Sequence, residues 1–116
     1  MSDREIVFEK KYGTEETKIY AGFKSNGEFD ISGFDAGPLL EEIFSDDDYE
    51  YGMTILKSDL QEFASILCGA GYSVPEPFVR NLIPTLRRTF EGGMEFRTLE
   101  LLCSERGLDV QNWTYR

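Results

Sequence analysis

The chain of 116 residues predicts one α+β domain, residues 1–116, in which a mainly antiparallel β-sheet (an N-terminal meander plus a C-terminal strand) carries helices packed on one face. Three observations predict it. Apolar and polar residues alternate through the first third of the chain, and tight-turn residues punctuate that alternation. From residue 58 the apolar spacing lengthens to a helical period, and alternation returns at the end. An apolar fraction of 41% with nine Phe, six Tyr and one Trp is enough for one core and too high for a disordered acidic tail.

Arg4–Tyr12 reads as a strand with Ile6, Phe8 and Tyr12 inward and Glu9 and Lys11 outward. After the turn at Tyr12-Gly13-Thr14-Glu15, Thr17–Lys24 places Ile19, Ala21 and Phe23 inward and Lys18 and Tyr20 outward. Ser25-Asn26-Gly27 supplies Asn-Gly turn chemistry, and Glu28–Phe34 alternates again with Phe29 and Ile31 inward and Glu28, Asp30 and Ser32 outward. Asp35-Ala36-Gly37-Pro38 stops the meander and opens a short helix over Leu39–Phe44, because Pro38 presets the φ of a first helical position. The run Ser45-Asp46-Asp47-Asp48 breaks that helix. Tyr49, Tyr51, Met53 and Ile55 then alternate with Glu50, Gly52 and Thr54 as a fourth strand.

Ser58-Asp59-Leu60-Gln61 has the form of a capping box, followed by Leu60, Phe63, Ala64 and Leu67 at helical spacing until Gly69 and Gly71. Glu76-Pro77 opens a second helix with Phe78, Val79, Leu82, Ile83, Leu86 and Phe90 on one side, kinked or split at Pro84. Met94–Arg106 is a third, carrying Phe96, Leu99, Leu102 and Cys103, with Gly107 at its C′ position. Leu108–Arg116 alternates as a final strand, at an edge or between earlier strands. Cys68 and Cys103 both fall among apolar neighbours and are expected buried and reduced.

Histidine is absent, which removes Ser-His-Asp and Cys-His nucleophile activation and every mixed Cys/His zinc site. No GxxxxGK[ST], GxGxxG or GxSxG motif occurs, so no cofactor and no enzymatic activity are expected. The N-terminus interleaves acids and bases, and the longest uncharged stretch, Phe63 to Pro75, is too short to span a bilayer. A cytoplasmic address follows as the expectation.

The net charge of −10 is mostly local: Asp35 to Glu62 holds nine of the 22 acidic residues against one base, Lys57. Residues 63–116 carry six acids and six bases, so they offer no net positive footprint to a nucleic acid. There Arg80, Arg87, Arg88, Arg97 and Arg106 are diluted by Glu91, Glu95, Glu100 and Glu105, and are expected to serve the acids of their own helices. An EF-hand loop aligned on Asp46 fits at Asp46, Asp48 and Glu50 but fails at Tyr51, where glycine is needed, and at Lys57, where glutamate is needed; no metal is expected. Glu41 and Glu42 point about 100° apart on a helix and do not converge as an acid/base couple. Phe34, Phe44, Tyr49 and Tyr51 lie among these acids, and protein interfaces combine aromatic anchors with steering charge. The candidate partner-binding residues are therefore Asp35, Glu41, Glu42, Asp46, Asp47, Asp48, Tyr49, Glu50 and Tyr51.

The segment Gly33-Phe34-Asp35-Ala36-Gly37-Pro38, followed by Glu41-Glu42, Phe44 and Asp48-Tyr49-Glu50-Tyr51, resembles a group of small acidic bacterial proteins associated with immunity to polymorphic and contact-dependent toxins. The resemblance spans residues 17–67. It implies a cytoplasmic antidote that binds and blocks a toxin domain, often a basic nuclease. Two other readings stand beside it. In one, the chain is a homodimeric subunit whose acids maintain solubility; in the other, it is a cation-dependent protein or small enzyme using Asp35, Glu41 and Asp46 to Asp48.

Overall fold

The computed structural model describes residues 3–37, 48–108 and 110–115. Five strands, β1 (Asp3–Tyr12), β2 (Glu15–Phe23), β3 (Phe29–Ala36), β4 (Asp48–Ile55) and β5 (Val110–Tyr115), form one antiparallel sheet in the order β1-β2-β3-β4-β5. Helices α1 (Leu60–Gly69), α2 (Phe78–Glu91) and α3 (Phe96–Glu105) lie between β4 and β5 in sequence, and their buried residues share a core with the sheet. Thus the α+β architecture stands, and the terminal strand takes the edge beside β4. The short helix expected over Leu39–Phe44 lies outside the described residues. Among the described residues, no helix is long and apolar enough to cross a membrane.

The core joins Ile19, Ala21, Phe29, Ile31, Met53 and Ile55 of the sheet to Leu60, Phe63, Leu67, Leu82, Leu86, Phe90 and Leu99 of the helices. Strand β1 departs from simple alternation. Ile6 pairs with Tyr20 and Phe8 with Ile19, so Val7 is an extra residue in a β-bulge. The bulge turns both Val7 and Phe8 to the helix side; Val7 is 2% exposed, whereas Ile6, expected inside, is 47% exposed on the other face. Ser32, expected outward, and Thr54 are buried: Arg4 donates to the Ser32 hydroxyl, and Thr54 Oγ1 donates to Asp30 at 2.6 Å.

The capping box is not used. A 3₁₀ turn over Lys57–Asp59 leads into α1, with the Asp59 N–H donating to the Leu56 carbonyl, and no side chain caps the helix. Ser58 thus sits inside the turn instead of before it. Helix α2 runs unbroken through Pro84, and its exposed Val79 lies off the apolar stripe expected for it. Its buried Thr85 and Thr89 donate to the carbonyls of Asn81 and Thr85, so neither hydroxyl is left unpaired in the core. All three helices end in Schellman motifs, for example Leu108 N–H to Cys103 O and Gly107 N–H to Ser104 O after α3, with Gly107 at φ +74°.

Two of the arginines bridge elements instead of serving their own helices: Arg87 pairs with Glu5 of β1 at 3.0 Å and Arg106 with Glu62 of α1 at 2.7 Å, whereas Arg97 does act on Glu100 of its own helix. Cys103 is buried as expected, but Cys68 is exposed, because it falls beside the stripe of Leu60, Phe63 and Leu67 and not on it. Burial, with the charge of Glu100 second, pushes the Cys103 thiol up to about 12. A thiol-reactive reagent at mildly alkaline pH is expected to label Cys68 quickly and Cys103 only on unfolding, since the thiolate is the reactive form. Equal labelling rates of the two in the folded protein would contradict this burial pattern.

Candidate functional site

A cleft of about 960 Å³ opens between the helix-facing side of the sheet and the junction of α2 with α3. Its sheet wall is a row fixed by strand register: Lys10 pairs with Thr17, Thr17 with Asp35, and Asp35 with Tyr49. Tyr51 lies one step along β4, directly opposite Gly33. A Cβ at position 33 would collide with the Tyr51 ring, so the absent side chain is what lets the ring lie flat on β3. From there the phenol reaches two residues along β3 and donates to Asp35 Oδ1 at 3.2 Å, while Thr17 Oγ1 donates to the same oxygen at 2.8 Å.

The helix wall supplies Phe90, Met94 and Phe96, with the Phe96 ring edge-on to Tyr51 at a centroid distance of 4.8 Å. Tyr49 and Tyr51 stand 5.5 Å apart. Glu91, Glu95, Glu100 and Arg97 complete this wall among the described residues. Glu9 also borders the cleft, but its carboxylate is engaged by Lys18. The remaining lining charges are the carboxylates of Asp35, Glu91, Glu95 and Glu100 against Lys10 and Arg97, so negative charge is in excess. Among the described residues, the ion pairs join Lys18 to Glu9 and Glu16, Lys24 to Glu28 and Asp30, Arg87 to Glu5 and Arg106 to Glu62. None reaches a carboxylate of the helix wall or Asp35.

Burial acts first on the groups inside. Burial, offset in part by Arg97, raises the Glu100 carboxyl above its ordinary value. Burial first, then the charge and hydrogen bond of Asp35, and lesser contributions from Tyr49 and Glu100, push the Tyr51 phenol far up. A raised phenol keeps its proton in the folded state after the unfolded chain has lost it. Its contribution to stability is therefore full below an unfolded pKa of roughly 10 and is lost as pH rises beyond that. In an alkaline titration followed by tyrosinate absorbance, Tyr51 is expected to ionise together with global unfolding; ionisation of every tyrosine in the folded protein would contradict the burial. For Glu100 the sign is also set by a raised value. The folded protein holds its proton more tightly, so this residue's contribution to stability falls as pH rises through the window between its unfolded and folded values.

The opposite face of the sheet is open. Trp113, 38% exposed, lies over Gly52 of β4, its register partner, and Arg4 stacks on Tyr20 at 5.0 Å. Lys18 and Glu16, 3.0 Å apart, hold each other charged, the lysine pKa raised and the glutamate pKa lowered chiefly by their hydrogen bond. On this face Lys18 is shared by Glu9 and Glu16.

The candidate residues divide accordingly. Asp35, Tyr49 and Tyr51 come together in the cleft. Glu50 pairs in register with Phe34 and is exposed on the open face, and Asp48 is the first residue of β4. Glu41, Glu42, Asp46 and Asp47 lie outside the described residues. Sequence reasoning missed Glu91, Glu95, Phe96 and Glu100 as site residues, because their segment is neutral in sum. Among the described residues, no three of Asp, Glu and Cys gather to hold a metal ion.

The chain matches no family model, no curated protein and no solved structure.

Proposed function

We propose that this chain is a non-enzymatic acidic binding protein of the immunity type, which occludes a basic toxin domain in the cytoplasm. The observation that carries the reading is the cleft, where aromatic rings line a cavity whose carboxylates outnumber its bases, with Asp35, Glu91, Glu95 and Glu100 against Lys10 and Arg97 among the described residues. Aromatic surface gives affinity once desolvated, and unpaired negative potential steers a basic partner and rejects nucleic acid. A binding role also fits the state of Tyr51. Its hydroxyl is held protonated beside Asp35, the opposite of what an activated nucleophile or base requires.

The test is affinity capture from lysate of the source cell at two ionic strengths, with the retained proteins identified by mass. A basic protein is expected, captured at about 0.05 M salt and largely released at about 0.5 M, where the Debye length shrinks below contact dimensions. Retention of neutral or acidic proteins alone, or salt-insensitive capture, would count against the reading.

A further inference from the structure

We propose that the open face of the sheet is a self-docking surface, on which a second copy of this chain stacks face to face about a two-fold axis running along β3. The cleft opens on the other side of the sheet, so this pairing is independent of the binding role above.

Strand register lays this face out in rows. One row runs Ile6, Tyr20, Ser32, Gly52, Trp113 across the five strands, and the next runs Lys18, Phe34, Glu50 across β2, β3 and β4. Two exposed large apolar side chains, Ile6 at 47% and Trp113 at 38%, stand at opposite ends of the first row. The row between them is low: Ser32 and Gly52 are buried, and the Trp113 ring lies flat in the space that a Cβ at position 52 would take. A face of five strands about 4.8 Å apart, each rising about 3.4 Å per residue over roughly seven residues, covers roughly 600 Å². Two stacked copies thus bury about 1,200 Å², the lower end of specific interfaces.

Charge selects the axis. The β2 side of the second row carries a base, Lys18, and its β4 side an acid, Glu50, so the face complements itself only when turned left to right. An axis along β3 does this: it lays β2 over β4 and β1 over β5 of the second copy while each row stays over itself. Lys18 then faces Glu50 of the second copy, twice over, Phe34 faces Phe34, and Ile6 and Tyr20 face the Trp113 ring. An axis across the strands along this row would set Lys18 over Lys18. The angle of about 30° between stacked sheets displaces the inner pairs by roughly 2–3 Å, within reach of lysine and glutamate side chains. Lys18 has three donors, of which Glu9 and Glu16 take two, and Glu50 is exposed. The net charge of −10 on each copy opposes association, and screening beyond about 8 Å at physiological salt limits that cost.

The test is sedimentation equilibrium of the full chain in about 0.15 M salt, followed from micromolar concentration to about 1 mM. The mass is expected to rise from 13.3 kDa towards twice that value. Ile6→Glu should hold the chain monomeric, and Val79→Glu, at an equally exposed apolar position on α2, should leave the dimer unchanged. Lys18→Glu and Glu50→Lys should each weaken the dimer by about tenfold through like-charge contact, and the double variant should recover most of that loss. Within one copy β3 separates Lys18 from Glu50, so recovery reports contact between copies. Circular dichroism melts show whether each variant is folded, and Glu50→Lys leaves the pairs of Lys18 with Glu9 and Glu16 intact. A monomer at about 1 mM, a dimer indifferent to Ile6→Glu, equal loss with Val79→Glu, or no recovery in the double variant would each overturn the proposal. So would a dimer insensitive to both charge swaps, which is the behaviour of copies joined edge to edge through β5.

Discussion

Truncation of Phe63 to alanine is expected to remove about 3–5 kcal/mol of stability, a large share of the roughly 5–15 kcal/mol typical of a domain. Phe63 is fully buried on α1 and meets Phe29 of β3 at 6.3 Å between ring centroids; Phe29 in turn meets Phe23 of β2 at 4.6 Å. The side chain is thus the bolt between the helical layer and the middle of the sheet. Its loss leaves a cavity that Leu60, Leu67 and Ile31, each held in its own element, can close only in part. Thermal unfolding should show a fall in Tm of about 10–20 °C. A loss below about 1 kcal/mol would mean that the helices do not pack on the sheet as described.

Gly33→Ala is expected to disable the cleft at a smaller cost, about 1–3 kcal/mol, by overpacking. The backbone at Gly33 has no left-handed φ, so alanine is conformationally acceptable there. The damage is steric: the new methyl group meets Cε2 and Cζ of Tyr51. Tyr51 must lift off β3, which breaks its hydrogen bond to Asp35 and separates its ring from Phe96. The variant should therefore stay folded and lose binding in the cleft by more than Tyr51→Phe, which keeps the ring and loses only the hydroxyl. Equilibrium unfolding and capture of the basic partner measure the two effects separately. Full binding by a folded Gly33→Ala protein would show that the seat of Tyr51 is irrelevant to the site.

Much of the fold is legible in the sequence because it is local. The alternation of Ile19, Ala21, Phe29 and Ile31, the Asn26-Gly27 turn and the helix stop at Gly107 each follow from a few neighbouring residues, and each is found where the pattern puts it. The failures occur where a distant contact, or the backbone's own hydrogen bonding, outvotes the side-chain pattern. In β1 the Val7 bulge re-aims the strand so that Phe8 can meet Phe90, 6.4 Å away on α2. At Lys57–Asp59 the backbone satisfies itself in a 3₁₀ turn, and the capping side chains are not called upon.

The site divides along the same line. By itself the sequence determined an α+β domain, a surplus of acid, and nine residues of interest that include Asp35, Tyr49 and Tyr51, since charge and alternation are properties of the chain alone. Only the tertiary structure decided where uncompensated charge remains. It carries Arg87 away to Glu5 and Arg106 away to Glu62, and leaves Glu91, Glu95 and Glu100, with Arg97, in the cleft that Asp35 also lines. Net charge adds along the chain without regard to position, but electrostatic attraction falls with distance, so pairing in space determines which face of a protein is charged.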